Sequence, residues 1–398
     1  MHFAAILGFG TVGSGVAEAL QMNNGRLAGK SDGITLRYIV DVRDFPDSPF
    51  AGLMTKDFST VENDPDVDFV VETIGGVGIA REFTVRALKA GKSVVTSNKE
   101  LVATHGSELM ALAHENGVSY LFEASVGGGV PMLRTTVNNL GSENISEFFG
   151  ILNGTTNYIL TQMFRNGMSF TDALHRAQEL GYSEANPTAD IEGHDACRKV
   201  AILSSLISGK HIQPDSISTQ GISGVTLDDV ENAEELGCTI KLLGRAVFDN
   251  DGCIRAYVAP HLIPQNLLLS HVEDVMNGLY IRGDAVGDVM LYGAGAGKLP
   301  TASAIVSDLY ILAKDKLDGE QFAWGPSEEG ICKSAADLET AWYVRMEAES
   351  GWEARQAGLQ LISCKEGRYA YRLNEMSEPA MKEIFSGQKI LSAFRIIK

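Results

Sequence analysis

Asp195 and Lys199 stand four residues apart in a stretch that continues as Val200-Ala201-Ile202-Leu203, so on a helix they share one face. A carboxylate and an amine side by side can bind a polar substrate and exchange a proton with it. The plainer reading of the same spacing is a solvated salt bridge worth roughly 0.3–0.5 kcal/mol. The loop before the pair carries Glu184, Asp190 and Glu192 around Pro187, more negative charge than a connection needs and suited to holding a substrate ammonium.

A second group of residues opens the chain. Phe3 to Leu7 is an apolar run ending in Gly8-Phe9-Gly10-Thr11-Val12-Gly13, after which Val16, Ala17, Ala19 and Leu20 recur at helical spacing. Strand, glycine turn and helix in this order form a cradle for a dinucleotide. Gly8 permits the tight turn, Gly10 lets the backbone approach a pyrophosphate, Gly13 lets the helix pack on the strand, and the helix N-terminus offers unpaired N–H groups. An ordinary tight turn is the alternative for the motif alone, but the next strand, Ile34 to Val42, carries Asp41 where an acceptor for a ribose hydroxyl belongs. The interval exceeds the usual ~20 residues, and the polar stretch Asn23 to Gly33 accounts for the excess. Asp41 favours NAD and neighbouring Arg43 suits the 2′-phosphate of NADP, so both cofactors remain open.

These residues need elements to hold them. Strands at Val67 to Ile74, Ser93 to Ser97 and Ser119 to Ala124 alternate with helical patterns at Ile79 to Ala90 and Glu108 to Asn116, which predicts an α/β fold with an N-terminal Rossmann domain, a doubly wound parallel sheet. Ligands lie beyond the C-terminal strand ends of such sheets, here marked by Thr73, Ser97 with Lys99, and Glu123. Between Ile240 and Gly293, apolar stretches such as Ile254 to Val258 and Leu279 to Ile281, separated by an amphipathic His261 to Met276, predict a mixed sheet in an α+β domain. Further strands at Ala341 to Met346, Leu359 to Ser363, Ala370 to Leu373 and Ile390 to Ile397 suggest a small α+β appendage.

Composition narrows the partners. A formal charge of -18 repels a phosphate backbone, and Lys and Arg are scattered, so no nucleic-acid partner is expected. Five cysteines without a Cys-x-x-Cys pair read as reduced thiols, with no structural zinc. No basic segment precedes an apolar signal core and no apolar run approaches the ~20 residues of a membrane span, so a cytoplasmic protein with no membrane association is expected.

The segments EASVGGGVP from Glu123, NGTTNYI from Asn153, GYSEANPTAD from Gly181 and DACRK from Asp195 together resemble homoserine dehydrogenases, over residues 1 to about 315. The resemblance implies NAD- or NADP-dependent interconversion of L-homoserine and L-aspartate 4-semialdehyde, in the biosynthesis of threonine and methionine. It implies that Lys199 is the acid/base and Lys99 a second active-site lysine near cofactor and substrate. Asp195, Glu184 and Asp190 would bind substrate, with Glu184 on its amino group, and Gly181, Glu184 and Gly297 would approach the cofactor. Gly154 and Thr155 would lie on a substrate loop, although capping of the helix that starts there is equally compatible. A monovalent cation, Na+ or K+, would sit on carbonyls of Glu123, Val126, Gly128 and Val130, where an interdomain glycine hinge is the alternative. The resemblance also implies a homodimer or higher homo-oligomer.

The expected domains are 1–130 plus 300–318 for the dinucleotide, 131–299 for substrate and dimerisation, and 319–398 as a degenerate ACT-like appendage, in which Glu349-Ser350-Gly351-Trp352 replaces a ligand-binding turn. Packing or assembly suits that appendage better than amino-acid sensing. Two rival functions are a semialdehyde dehydrogenase that oxidises through a nucleophilic cysteine, and a non-catalytic nicotinamide-binding regulator. Cys197 is the only cysteine near the pair, but lies about 200° around the helix from both Asp195 and Lys199. A regulator needs neither Lys99 nor Lys199 as a proton donor.

Overall fold

The computed structural model describes residues 1–27, 33–314, 322–348 and 359–398. The chain divides into two compact units, one of residues 1–143, 201–214 and 293–328, the other of residues 144–200, 215–292 and 329–398. The expected turn at Glu349 to Trp352 lies outside the described residues. Among the described residues no helix is long and apolar enough to cross a membrane.

The first unit is built on six parallel strands, β1 (His2–Leu7), β2 (Ile34–Val40), β3 (Met54–Thr55), β4 (Val67–Glu72), β5 (Ser93–Thr96) and β6 (Tyr120–Leu121), in the order β3-β2-β1-β4-β5-β6. This is the doubly wound order of dinucleotide folds. Ala4 to Leu7 are wholly buried, as a strand covered on both faces requires, and Leu7 pairs with Val40 on one side and Glu72 on the other. The helix Lys298–Lys314 packs on the helix Thr11–Leu27, with Lys298 paired to Glu18, so the late segment rejoins this unit. Three elements differ from expectation. The helix anticipated from Glu108 begins at Lys99, because Asn98 caps it with its side chain on the Leu101 N–H. The strand anticipated to Ala124 ends at Leu121, where Ser125 bonds back to the Phe122 carbonyl and turns the chain. The short β3 carries too little apolar pattern to be read from sequence.

The second unit is a mixed sheet with the order β12-β11-β7-β9-β10-β16-β13-β15-β14 and β8 beside β10. Its strands are β7 (Glu147–Ile151), β8 (Ser218–Thr219), β9 (Cys238–Phe248), β10 (Ile254–Pro264), β11 (Met276–Gly283), β12 (Gly287–Ala294), β13 (Thr340–Glu347), β14 (Leu359–Lys365), β15 (Arg368–Met376) and β16 (Lys389–Ile396). The stretch anticipated as amphipathic from His261 continues β10 to Pro264, and only a short turn at Leu268–His271 follows. The strands after residue 319 do not stand apart as an appendage. β16 pairs in parallel with β10 through His261 and Leu262, and β13 pairs with β16. Asp229, without exposure, binds this segment in place: it accepts from Arg345 Nε at 2.7 Å, the Tyr343 hydroxyl at 2.8 Å and Ser392 Oγ at 3.1 Å.

Lys241 on β9 is 3% exposed and donates to the Val272 carbonyl at 2.6 Å and Asn157 Oδ1 at 3.0 Å. Burial pushes its amine down from 10.5 to about 8. Between those values the unfolded chain binds more protons than the folded one, so folding stability contributed by this residue rises with pH. Relative to Lys241→Met, the wild-type chain is expected to gain about 2 kcal/mol between pH 7.5 and 10, given ~1.4 kcal/mol per unit. Denaturant unfolding of both proteins at the two pH values measures this difference, and a pH-independent one would refute the assignment.

Candidate active site

The glycine turn of the first unit is shaped by close backbone approaches. Gly8 has φ +90, and a Cβ there would stand 2.9 Å from the Thr73 carbonyl oxygen. A Cβ on Gly13 would stand 1.9 Å from the Gly8 carbonyl oxygen, so no other residue fits without moving the helix off the strand. Gly10, in contrast, faces open space, with nothing within 4 Å of its added Cβ. The helix begins at Thr11, followed by Val12, so its first N–H groups front that space. The turn thus fits a dinucleotide pyrophosphate on steric grounds.

Around it, the Asp41 carboxylate accepts from the Phe9 N–H at 2.7 Å and from Arg43 through Nε at 3.0 Å and Nη2 at 2.9 Å. The Arg43 hydrogen bonds, with those of the two backbone N–H groups, hold its carboxyl down at about 2 against the opposing effect of burial. The Arg43 side chain is 60% exposed, the Asp41 side chain 6%. Thr73 turns its hydroxyl inward, donating to the Leu7 and Gly8 carbonyls, so its described contacts brace the turn. Ser97 is half-buried, and its carbonyl accepts from the Lys99 N–H at 3.0 Å. Lys99 is half-buried at the first turn of its helix, where a cation opposes the helix dipole.

The glycine loop after β6 is held by Glu123, whose carboxylate accepts from the Leu133 and Arg134 N–H groups at 3.0 and 2.8 Å. Gly127 and Gly128 take φ +77 and +53 in succession, and a Cβ on Gly128 would stand 2.5 Å from the Gly295 carbonyl oxygen. The Glu123 carbonyl accepts from the Val126 N–H at 3.4 Å and the Val130 carbonyl from the Met132 N–H at 2.7 Å. Such neutral oxygens suit a weakly hydrated monovalent cation better than a divalent one, and no cluster of metal-ligating side chains occurs among the described residues. Gly297, with φ +116, directly precedes the helix Lys298–Lys314.

In the second unit, Asp195 and Lys199 lie one turn apart on the helix His194–Ser208, with Nζ 2.7 Å from Asp195 Oδ2. The side chains are 6% and 9% exposed, which removes the solvated-bridge reading. Lys199 Nζ also donates to the Leu152 carbonyl at 2.6 Å. The next residue, Asn153, donates from Nδ2 to Asp190 Oδ1 and to Asp195 Oδ2, both at 2.8 Å. The segment from Leu152 to Asn153 therefore gathers Asp190, Asp195 and Lys199 from two separate helices. The helix Gly154–Asn166 is capped by Asn153, whose Oδ1 accepts from the Thr156 N–H, so Gly154 and Thr155 are released from that duty. Thr155 instead donates to the Tyr182 carbonyl at 2.7 Å, and a Cβ on Gly154 would stand 2.7 Å from the Val275 carbonyl oxygen. Gly181 and Glu184 are exposed on the following loop.

The predicted residues thus fall into two groups, each assembled within its own unit. Asn153, the Leu152 carbonyl and the Tyr182 carbonyl were missed. An Asn at the start of the apolar pattern Tyr158 to Leu160 is a cap signal, and that cue could have singled out Asn153. Cys197 is buried and burial pushes its thiol up, the reverse of what a nucleophile needs.

The chain matches the family profile "Homoserine dehydrogenase" over residues 131–310 and "Homoserine dehydrogenase, NAD binding domain" over residues 8–123. It is 41% identical to the homoserine dehydrogenase of Bacillus subtilis (strain 168), over 86% of this chain and 80% of that protein. It is 40% identical to that of Pseudomonas aeruginosa, over 86% and 81%. Among solved structures, a homoserine dehydrogenase from Thiobacillus denitrificans superposes with a TM-score of 0.89 at 34% identity, covering 100% of this chain and 98% of that one. A hyperthermophilic archaeal homoserine dehydrogenase mutant in complex with NADPH superposes with a TM-score of 0.64 at 29% identity, covering 78% and 97%.

Proposed function

This chain belongs to the homoserine dehydrogenase family, and from that membership we propose how its residues share the work of interconverting L-homoserine and L-aspartate 4-semialdehyde. The bound nicotinamide dinucleotide supplies the hydride in reduction and accepts it in oxidation. Gly8 to Gly13 would hold its pyrophosphate on the open turn, and Lys99, Ser97 and Gly297 of the same unit would complete its surroundings. Lys199 gives a proton to the aldehyde oxygen in reduction and takes the hydroxyl proton in oxidation. Asp195 steadies the Lys199 ammonium and contacts substrate, while Glu184 and Asp190 receive the substrate amino group. The observation that carries this reading is the buried ammonium of Lys199 between Asp195 and the Leu152 carbonyl, an arrangement too costly in desolvation to serve as surface decoration.

Both rival functions lose support: burial disfavours the thiolate that Cys197 would need as a nucleophile, and family membership speaks for turnover over sensing. For the cofactor, we favour NADP, because the Asp41 carboxylate is engaged by the Phe9 N–H and by Arg43, while the Arg43 side chain, bonded to Asp41 through Nε and Nη2, stays exposed enough to meet a 2′-phosphate as well. The archaeal relative's complex with NADPH agrees with that choice. We further propose that the carbonyls of Glu123, Val126, Gly128 and Val130 hold Na+ or K+, and that two copies of the chain pair as a dimer.

Lys199→Ala is expected to lose about 10²- to 10⁴-fold in kcat while still binding cofactor, read by steady-state kinetics and by cofactor titration. Retained turnover would place proton transfer elsewhere. Asp195→Ala is expected to raise KM for homoserine and to lower kcat as well, since it strips a buried ammonium of its counter-charge; an unchanged pair of constants would refute its role. Arg43→Ala is expected to raise KM for NADP about tenfold or more and leave that for NAD nearly unchanged, as one charge-assisted contact is lost. Equal effects on both cofactors would sink the NADP preference.

A further inference from the structure

We propose that Asn153 is a positioning residue for proton transfer, its carboxamide fixing the Asp190 and Asp195 carboxylates relative to each other and to Lys199. The proposal rests on the assignment of Lys199 as acid/base and adds a residue to it. Three observations carry it. One nitrogen, Nδ2, lies 2.8 Å from Asp190 Oδ1 and 2.8 Å from Asp195 Oδ2, so those two oxygens cannot be further apart than twice that distance. Two anions held so close repel, and an amide nitrogen with two hydrogens can give one to each. The other end of the amide is equally committed: Oδ1 accepts from the Thr156 N–H at 2.9 Å and Thr156 Oγ1 at 3.1 Å. A backbone N–H can only donate, so the amide cannot flip, and its NH2 must face the acids. Finally, Asp195 Oδ2 is shared between Asn153 and Lys199 Nζ, which links the amide to the amine through a single oxygen atom.

Helix capping alone does not explain this choice. Ser, Thr or Asp would serve as well at the cap of Gly154–Asn166, and none of them offers two donors alongside a cap acceptor. Asn153 is 6% exposed, so the donors are spent inside the protein, and the acids they meet come from residues 37 and 42 positions away. The charged groups around it are Asp190 on the short helix Thr188–Ile191, Asp195 and Lys199 on the helix His194–Ser208, and Lys241, which bonds Asn157 on the helix that Asn153 caps. The expected consequence is that the amide sets both the hold on substrate and the pH at which the site works.

Two variants separate positioning from capping in the full-length enzyme, with Lys199→Ala as control. Asn153→Asp and Asn153→Ser both keep the cap oxygen and remove the bridging NH2. The cap itself is nearly unchanged in both, a cap-to-cap exchange being worth only tenths of a kcal/mol, so Asn153→Ser is expected to melt closer to wild type than Asn153→Asp, which adds a buried carboxylate beside Asp190 and Asp195. Each is expected to lose roughly 10- to 100-fold in kcat/KM for homoserine, the size of a hydrogen bond to a charged group. Asn153→Asp adds a third negative charge, so the acid limb of its kcat/KM profile is expected to move up by about one pH unit or more, and that of Asn153→Ser by less. Wild-type kinetics and pH profile in both variants, with Lys199→Ala inactive, would overturn the proposal and leave Asn153 as a cap. An active Lys199→Ala would overturn the underlying assignment and the proposal with it. Should Asn153→Asp fail to fold, Asn153→Ser decides by the same kinetic criterion.

Discussion

An ammonium taken out of water must be met by a counter-charge and by acceptors for its hydrogens, and much of the second unit can be read as meeting that demand for Lys199. Asp195 supplies the charge from one helical turn away, and the Leu152 carbonyl supplies an acceptor from the end of β7. The carbonyl is available because the strand ends there, at the point where the chain turns into the helix that Asn153 caps. One backbone junction therefore serves two purposes, ending a strand and completing a charged cluster.

The first unit answers to a steric constraint. The helix after β1 can approach its strand only because Gly13 has no side chain to meet the Gly8 carbonyl, and Thr73 on the neighbouring strand end closes the arrangement with its hydroxyl. Where the packing is tight the residues serve the fold, and where it is open, at Gly10, there is room for a ligand. Tight and open positions alternate within six residues.

Periodicity and local spacing made the parallel sheet, the glycine turn and the shared face of Asp195 and Lys199 legible in the sequence. What stayed hidden is non-local. Nothing near Asn153 tells that Asp190 and Asp195 come to its amide, because both arrive through a loop and two helices. Thr73 reads as a ligand at a strand end, but its hydroxyl turns inward, a choice made by the carbonyls of Leu7 and Gly8. The strands after residue 319 were recognisable one by one, while their membership of the larger sheet depends on β16 pairing with β10, which no local pattern encodes. The burial of Lys241 is equally non-local, since it depends on Val272 and Asn157 from distant segments.

The order of that sheet has a consequence for how the polypeptide matures. β16 follows β13, β14 and β15 along the chain, yet it lies between β10 and β13 in space. The centre of the sheet thus stays open until β16 has been made; until then the edge of β13 that β16 covers is unpaired, and β10 has only β8 on the corresponding edge. The six-stranded unit can begin to form from its first 143 residues, whereas the larger sheet closes only when its last strand in sequence arrives, making aggregation through the waiting edges a hazard of that unit.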